Sequence, residues 1–343
     1  MRNIFISVSQ DLFMKKVLIT GGAGFIGYHL AKHLLNGEEI KIVLADNLWR
    51  GQMDEDLKDL LKDKRISFLQ ADVASQEFYS SLDKEFDHIY HLAAVNGTKL
   101  FYEIPQEVLR INTLSLIYLL EWAKTLDKKP KICFTSSNEA YAGALSAFNS
   151  LPIPTPENVP LIIEDTYNPR WSYGATKAIG EMFVIYYSKA YNIPAVIVRP
   201  HNFYGPRAGF GHVIPQMSER LTKKQDPFTV YGSDETRTFC YITDAVEAMQ
   251  MLMDSPVTNK LPAETFHIGD VEEITMLNLA NKLFEVTGFK PKNLDIQEEL
   301  AGSVKRRLAD ISKIKSAIGW EPKTTLDKGL QLTYDWYKDK FKQ

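Results

Sequence analysis

Tyr173 and Lys177 stand four residues apart in a segment with helical periodicity, which places both side chains on one helix face, one turn apart. A phenol ordinarily has a pKa of about 10, and a neighbouring ammonium group favours its ionised form. Tyr173 could therefore act as a general base near neutral pH. Ser137 follows an apolar strand pattern earlier in the chain, where its hydroxyl could hydrogen-bond the same substrate oxygen.

A glycine-rich segment with the sequence GGAGFIG occupies residues 21–27, between an apolar strand pattern and a helical one. Gly21 permits a tight turn, Gly24 lets the backbone approach a pyrophosphate, and Gly27 lets the helix pack closely on the strand. The N-terminus of such a helix also attracts phosphate charge. This arrangement of strand, glycines and helix predicts a dinucleotide site.

Acidic and small residues at the ends of the following strand patterns support that site. Asp46 ends the second pattern, where its carboxylate could accept a hydrogen bond from a ribose 2'-hydroxyl and repel a 2'-phosphate. NAD is therefore favoured over NADP. Asp72-Val73 follows the third pattern and could meet the adenine, and His91-Leu92-Ala93-Ala94 ends the fourth with small residues against which a flat cofactor could lie.

The elements that position these residues alternate between strands and helices, which predicts a Rossmann-type doubly wound parallel sheet with a smaller mixed α/β C-terminal substrate-binding domain. We place a leader or tail at residues 1–14, the NAD-binding domain at 15–200 and the substrate-binding part mainly at 201–343, allowing the chain to cross back. Either Met1 or Met14 could be the native start. The predicted strands are Val17 to Thr20, Ile40 to Ala45, Ile66 to Gln70, His88 to Leu92, Lys131 to Thr135 and Ala195 to Arg199, and the principal helices are Ile26 to Leu35, Val108 to Lys124 and Tyr173 to Tyr191.

Composition narrows the class of protein. Of 343 residues, 45% are hydrophobic and 24% charged, which is typical of a globular chain. The formal charge of -3, with basic residues scattered along the chain, argues against a nucleic-acid partner. No apolar run approaches the roughly 20 residues that span a bilayer. The 2 cysteines are too few for a disulfide framework and indicate a reducing cytoplasm and no structural metal.

The motifs, taken in order, resemble an extended short-chain dehydrogenase/reductase of the nucleotide-sugar epimerase and dehydratase group, from Lys16 to about Pro322. Beyond the segments above, the resemblance rests on Asn112, Ser136-Ser137, the RPHNFYGPR segment at 199–207, Val230-Tyr231-Gly232, Arg237, Arg307-Leu308-Ala309-Asp310 and Gly319-Trp320-Glu321-Pro322.

The resemblance implies a tightly held NAD that oxidises C4 of a hexose attached to a nucleoside diphosphate. Tyr173 would remove the C4 hydroxyl proton, Ser137 would share its hydrogen bond, and Lys177 would hold the nicotinamide ribose. The implied cofactor-binding residues are Gly21, Gly24, Phe25, Ile26, Gly27, Asp46, Asn47, Asp72, Val73, Leu92, Ala93, Ala94, Asn112, Tyr173, Lys177 and Pro200. The implied substrate-binding residues are Asn138, Asn202, Val213, Val230, Tyr231, Arg237 and Arg307. Arg50, Arg207 and Arg306 are left unassigned.

The net reaction is open at this stage. Glu139 stands where dehydratases and decarboxylases of this group carry a glutamate that acts at C5, which makes it a further catalytic candidate. Asn138 replaces the aspartate that protonates the leaving hydroxyl in dTDP-glucose-type dehydratases, and no motif supplies a cation for a uronic carboxylate. The amino-acid sequence around Tyr173 resembles that of the epimerases in this group. The sequence therefore favours an NDP-hexose 4-epimerase narrowly over a 4,6-dehydratase, decarboxylase or 4-dehydrogenase.

Three further expectations complete the sequence-based picture. A non-catalytic NAD-binding scaffold is a remote alternative, which the complete Ser, Tyr and Lys set disfavours. The resemblance implies a homodimer joined through the helices Val108 to Lys124 and Tyr173 to Tyr191. The proline-rich stretch Gly143 to Arg170 could form a lid or wall on the substrate pocket, and His201 could touch the sugar or be a structural histidine.

Overall fold

The protein is described by a computed structural model over residues 14–37, 39–148, 151–298 and 305–340. Of the predicted leader, only Met14 lies within these ranges. Seven parallel strands form one sheet in the order β11-β6-β5-β4-β1-β2-β3. They are β1 (Lys15–Thr20), β2 (Ile40–Asp46), β3 (Ile66–Gln70), β4 (His88–His91), β5 (Lys131–Thr135), β6 (Ala195–Pro200) and β11 (Glu264–Ile268). The predicted doubly wound parallel sheet is confirmed.

Helices connect the strands and cover both faces of the sheet. They are α1 (Phe25–Leu34), α2 (Glu55–Leu60), α3 (Gln76–Ser81), α4 (Thr98–Glu103), α5 (Pro105–Ala123), α6 (Ala142–Phe148), α7 (Trp171–Tyr191), α8 (Val213–Thr222), α9 (Ile242–Asp254), α10 (Met276–Thr287), α11 (Ser312–Ile318) and α12 (Leu326–Lys340). Pro105 begins α5, where the missing N–H costs no helical hydrogen bond.

The alternation of side chains along the strands divides the core into two layers. Val17 and Ile19 pack on the side that also holds α1 and α9, whereas Leu18 packs with residues of α5 and α7 on the other side. Strands buried on both faces are typical of parallel sheets.

The chain beyond residue 200 contributes to the sheet as well as to a smaller unit. β11 pairs with β6, and α9 packs beside α1. The remaining strands form three short pairs, which are β10 (Cys240–Tyr241) with β7 (Phe203–Tyr204), β12 (Ile274–Thr275) with β9 (Thr236–Arg237), and β13 (Leu294–Gln297) with β8 (Phe228–Tyr231). The chain beyond residue 200 therefore adds one strand to the sheet, and the predicted division into domains stays a prediction.

Candidate active site

A cavity of about 710 Å³ opens at the carboxyl ends of β1, β4, β5 and β6. Ligands of open α/β sheets bind at this edge, beside the point where the strand order reverses. Here the reversal lies between β1 and β4. The predicted residues that line the cavity are Gly21, Gly24, Phe25, Ile26, Gly27, Asp46, Asn47, Asp72, Val73, Leu92, Ala93, Ala94, Ser137, Asn138, Glu139, Tyr173, Lys177, Pro200, Asn202 and Arg307.

The glycine loop between β1 and α1 has no room for side chains. Gly21 has a φ of +73°, and a Cβ atom there would lie 2.9 Å from the backbone nitrogen of Ala93. A Cβ at Gly27 would lie 2.4 Å from the carbonyl oxygen of Gly21. Gly24 caps α1 without a side-chain hydrogen bond, so the N-terminus of this helix stays available to a ligand. The loop fits the pyrophosphate of a dinucleotide.

Asp46 is held at the ribose end of this cradle by two backbone N–H groups. Its Oδ2 accepts from Ala23 at 3.1 Å and its Oδ1 from Leu48 at 2.8 Å. Burial raises the pKa of Asp46, and these two hydrogen bonds oppose the rise. Each oxygen keeps acceptor capacity for a ribose hydroxyl. These two acceptor oxygens therefore fit an unphosphorylated ribose, as NAD requires.

Asn112 lies behind the cavity wall, although the resemblance implied direct cofactor contact. Its Oδ1 accepts from the N–H of Val95 at 2.7 Å, and its Nδ2 donates to the carbonyl of Val95 at 3.1 Å. Nδ2 also lies 3.3 Å from the hydroxyl of Thr176 on α7. Asn112 therefore fixes the strand-end backbone beside Ala93 and Ala94, and a direct cofactor contact stays a prediction.

Helix α7 brings Tyr173 and Lys177 to Ser137. Gly174 allows this approach, since a Cβ there would lie 2.7 Å from the carbonyl oxygen of Glu139. Burial and the Glu139 charge raise the pKa of Tyr173, while a hydrogen bond from Ser137 opposes the rise. The Lys177 Nζ donates to the carbonyl of Thr135 at 2.7 Å. Burial lowers the pKa of Lys177 to about 7, against the opposing charge of Glu181.

Glu139 forms a largely buried ionic cluster with two arginines, in which Glu139 and Arg170 keep some exposure and Arg307 is buried. Arg307 Nη1 lies 2.5 Å from Oε1 of Glu139, and Arg170 Nη1 lies 3.1 Å from its Oε2. Burial alone would raise the pKa of Glu139, but the charges of Arg307 and Arg170 outweigh it and hold the pKa at about 2. Glu139 is therefore an anion at neutral pH and a weak base. The cluster carries a net positive charge.

Two buried nitrogen donors at this end of the cavity have no hydrogen-bond partner within the described ranges. They are the Nδ2 of Asn138 and the Nε of Arg307. Both side chains are less than one-tenth exposed, so an unmet donor there is costly unless a ligand oxygen accepts from it. This end of the cavity therefore has two unmet donors that ligand oxygens could satisfy. Asn202 is differently engaged, because its Nδ2 donates to the carbonyl of Thr238 at 2.8 Å.

Four predicted substrate contacts do not line the cavity. Val230 is fully buried in the core of the C-terminal part, and Tyr231, next along the strand, is exposed. Arg237 pairs with Glu235 at 2.8 Å. Val213 begins α8 and packs against the core. Their substrate roles stay predictions.

Two sequence-based expectations concern the surroundings of the cavity. Of the stretch from Gly143 to Arg170, only Arg170 lines the cavity among the residues that the structure describes. His201 is fully buried, with its Nε2 3.3 Å from the hydroxyl of Tyr141 and its ring beside His267. Burial and the neighbouring His267 hold the pKa of His201 well below its usual value, so it is neutral and structural.

Several cavity residues were not assigned from the sequence. Arg170 precedes Tyr173 by three residues, nearly one helical turn, and this spacing was the available signal. Arg50 and Arg207 enter from loops, and no sequence signal separated them from surface arginines. Helix α12 contributes three further residues that were not assigned from the sequence, which are Trp336, Tyr337 and Lys340. The described part of the chain contains no cluster of three metal-ligating side chains, and none of its helices combines the length and apolar character needed to cross a membrane.

Comparisons with known proteins agree with this geometry. Residues 18–333 match the family described as GDP-mannose 4,6 dehydratase. UDP-glucuronic acid decarboxylase 6 from Arabidopsis thaliana is 30% identical, over 92% of this chain and 87% of its own length.

Two solved structures share the fold. UDP-glucuronic acid 4-epimerase from Bacillus cereus, in complex with UDP-glucuronic acid and NAD, has a TM-score of 0.82 at 27% identity and covers 94% of this chain and 99% of its own. dTDP-glucose 4,6-dehydratase from Bacillus anthracis, in complex with NAD, has a TM-score of 0.80 at 25% identity, with coverages of 96% and 98%.

Proposed function

Since the chain belongs to the extended short-chain dehydrogenase/reductase family of NAD-dependent nucleotide-sugar epimerases, dehydratases and decarboxylases, we propose that it is an NDP-hexuronic acid decarboxylase. One observation carries the proposal, which is the cluster of Arg170, Glu139 and Arg307 in the cavity wall. A nucleotide sugar with a C6 carboxylate needs a cationic subsite. The sequence alone identified no such cation, and the residues around Tyr173 resemble the epimerase branch, so the sequence narrowly favoured an NDP-hexose 4-epimerase.

The chemistry of C4 is assigned to the three residues on β5 and α7. Tyr173 removes the C4 hydroxyl proton and Ser137 hydrogen-bonds the same oxygen. Because burial raises the pKa of Tyr173 and lowers that of Lys177 to about 7, the expected activation of the phenol by Lys177 alone is not met, and ionisation of Tyr173 would depend on the positive charge of bound oxidised NAD. Bound NAD supplies the acceptor for the C4 hydrogen with its electron pair and returns both at the end of the cycle.

The resulting 4-keto hexuronic acid is a β-keto acid. Its C5–C6 bond breaks, C6 leaves as carbon dioxide, and the bond's electron pair moves into the C4–C5 enolate. The protonated Tyr173 donates a hydrogen bond to the enolate oxygen, and a proton from solvent adds to C5 and restores the 4-ketone. When C4 is reduced again, Tyr173 returns its proton to the C4 oxygen. This sequence needs no base at C5, in agreement with the low pKa of Glu139. Dehydration would need both a C5 base and an acid for the leaving hydroxyl, and Asn138 is a neutral amide.

A 4-epimerase is the second candidate. It is favoured because Ser137, Tyr173 and Lys177 suffice for C4 chemistry, and Glu139 is not required. Epimerisation also needs room for the 4-keto sugar to turn, for which the cavity of about 710 Å³ is relevant. An epimerase would retain the carboxylate, so the two candidates differ in product mass.

The decisive experiment offers UDP-glucuronic acid and UDP-glucose separately to the enzyme in deuterated water. Loss of carbon dioxide with one deuterium in the product supports decarboxylation. A new peak of unchanged mass supports epimerisation, and loss of water would contradict both candidates. Tyr173→Phe should form no product while retaining NAD.

The carboxylate subsite has its own test and a matched control. Arg170→Gln should raise the KM for UDP-glucuronic acid by about tenfold or more, because a charge-assisted hydrogen bond is lost. Arg306→Gln removes an equal charge from an arginine that is half-exposed and paired with Glu273 outside the cavity. That control should leave KM unchanged. Equal effects of the two variants would contradict the assignment of Arg170.

A further inference from the structure

Arg50 extends across the dinucleotide cavity from the loop after β2. The strand order places β2 and β4 on either side of β1. The Nη2 atom of Arg50 lies 3.9 Å from the position that a Cβ on Gly97 would occupy, in the loop after β4. The side chain therefore crosses over the carboxyl end of β1, where the glycine loop begins.

The charge of Arg50 acts on both ends of the cavity. It interacts electrostatically with Asp46 at the ribose end and with Tyr173 at the catalytic end. A dinucleotide that places its ribose at Asp46 and its reactive ring at Tyr173 must carry its pyrophosphate between these two residues. Arg50 lies over that path.

The other cations in the cavity wall are already engaged with protein groups. The engaged pairs are Lys177 with the Thr135 carbonyl, Arg170 and Arg307 with Glu139, Arg207 with Asp54, and Lys340 with Asp56. Across residues 14–37, 39–148, 151–298 and 305–340, no hydrogen bond or ion pair involves Arg50. Its guanidinium thus enters the cavity with all of its donors available.

The glycine loop does not by itself neutralise the negative charge of a bound pyrophosphate. The N-terminus of α1 offers N–H groups and a partial positive charge, but its first turn carries no basic side chain. A pyrophosphate brings two negative charges, and a guanidinium matches phosphate oxygens in a bidentate manner. We propose that Arg50 pairs with the pyrophosphate of NAD and closes over it from the β2 side, as a clamp opposite the glycine loop.

The experiment measures cofactor binding to the full chain and does not depend on the sugar reaction. NAD is removed from the purified protein, and NAD, ADP-ribose and NADP are titrated into the wild type, Arg50→Gln and Arg50→Lys. Arg50→Gln should weaken NAD and ADP-ribose alike by about tenfold to a hundredfold, since both contain the pyrophosphate. Arg50→Lys should bind with intermediate affinity, because it keeps the charge and loses the fork.

Arg65→Gln is the matched control. Arg65 lies at the amino end of β3, away from the cavity at the carboxyl ends of the strands, and pairs with Asp63. Its replacement should therefore leave the affinities for NAD, ADP-ribose and NADP unchanged. Unchanged NAD affinity in Arg50→Gln would overturn the proposal. A loss confined to NADP would also overturn it, because it would place the guanidinium at the ribose 2'-position.

Discussion

Replacement of Glu139 by Gln tests whether this residue is a base at C5 or an anion that organises two arginines. The fall in the pKa of Glu139 from 4.5 to about 2 corresponds to about 3 kcal/mol of favourable interaction with the anion. A pKa of about 2 is about five units below the pKa of a base that is matched to neutral pH. If the logarithm of the rate changes by half of that pKa difference, proton removal is slower by roughly 300-fold.

The expected outcome follows from that weakness. Glu139→Gln should keep C4 oxidation within about tenfold of the wild type, measured as the absorbance of reduced cofactor after mixing with UDP-glucuronic acid. Removal of the negative charge lowers the pKa of Tyr173, so the acidic limb of the rate profile should move to lower pH. Recovered substrate should carry no solvent deuterium at C5 in either protein.

Stability gives a second readout of the same cluster. The pKa of Glu139 is lower in the folded state, so its contribution is complete above pH 4.5 and is lost as the pH falls towards 2. Glu139→Gln should therefore lower the free energy of unfolding at pH 7 by up to about 3 kcal/mol, with a difference that shrinks below pH 4.5. Glu107→Gln removes a glutamate from an exposed pair with Arg110 and should cost less than about 0.5 kcal/mol.

The reasoning is refuted by one combination of results. If wild-type enzyme exchanges the C5 hydrogen of recovered substrate and Glu139→Gln abolishes that exchange while C4 oxidation continues, then Glu139 is the C5 base. The decarboxylase proposal would then give way to dehydration.

Three other predictions concern different parts of the molecule. Burial lowers the pKa of Lys177 to about 7, so the cofactor-free protein should gain stability between pH 7 and about 10.5, and Lys177→Met should remove this gain in urea unfolding at several pH values. Gly27→Ala should lose NAD from the purified protein, because its Cβ would lie 2.4 Å from the Gly21 carbonyl oxygen; retention of stoichiometric NAD would contradict the close packing. The predicted homodimer would bury the exposed side chains of Met182 and Tyr186 on α7, so Met182→Glu should shift light scattering from dimer to monomer, and a wild-type monomer would remove the expectation.

Local pattern was sufficient to predict the sheet and the cofactor cradle. Parallel strands buried on both faces appear as short apolar runs, and the strands predicted before residue 200 all occur within one or two residues of their predicted bounds. The glycine spacing depends on backbone clearance within one turn, which is a property of neighbouring residues. Tyr173 and Lys177 share a helix face for the same reason, because four residues make about one turn.

Contacts between distant segments decided the rest of the site. Arg170 and Arg307 meet at Glu139 from positions 31 and 168 residues away, and α12 reaches the cavity from the end of the chain. Val230 lies in the core beside Phe228 because that face of β8 packs towards α10, a contact between distant segments. A single arginine looks the same in sequence whether it is solvated, paired or directed at a ligand. The sequence alone therefore predicted the glycine loop of the proposed cofactor site, because its geometry depends on neighbouring residues. Tertiary packing determined which charged side chains surround the proposed sugar site.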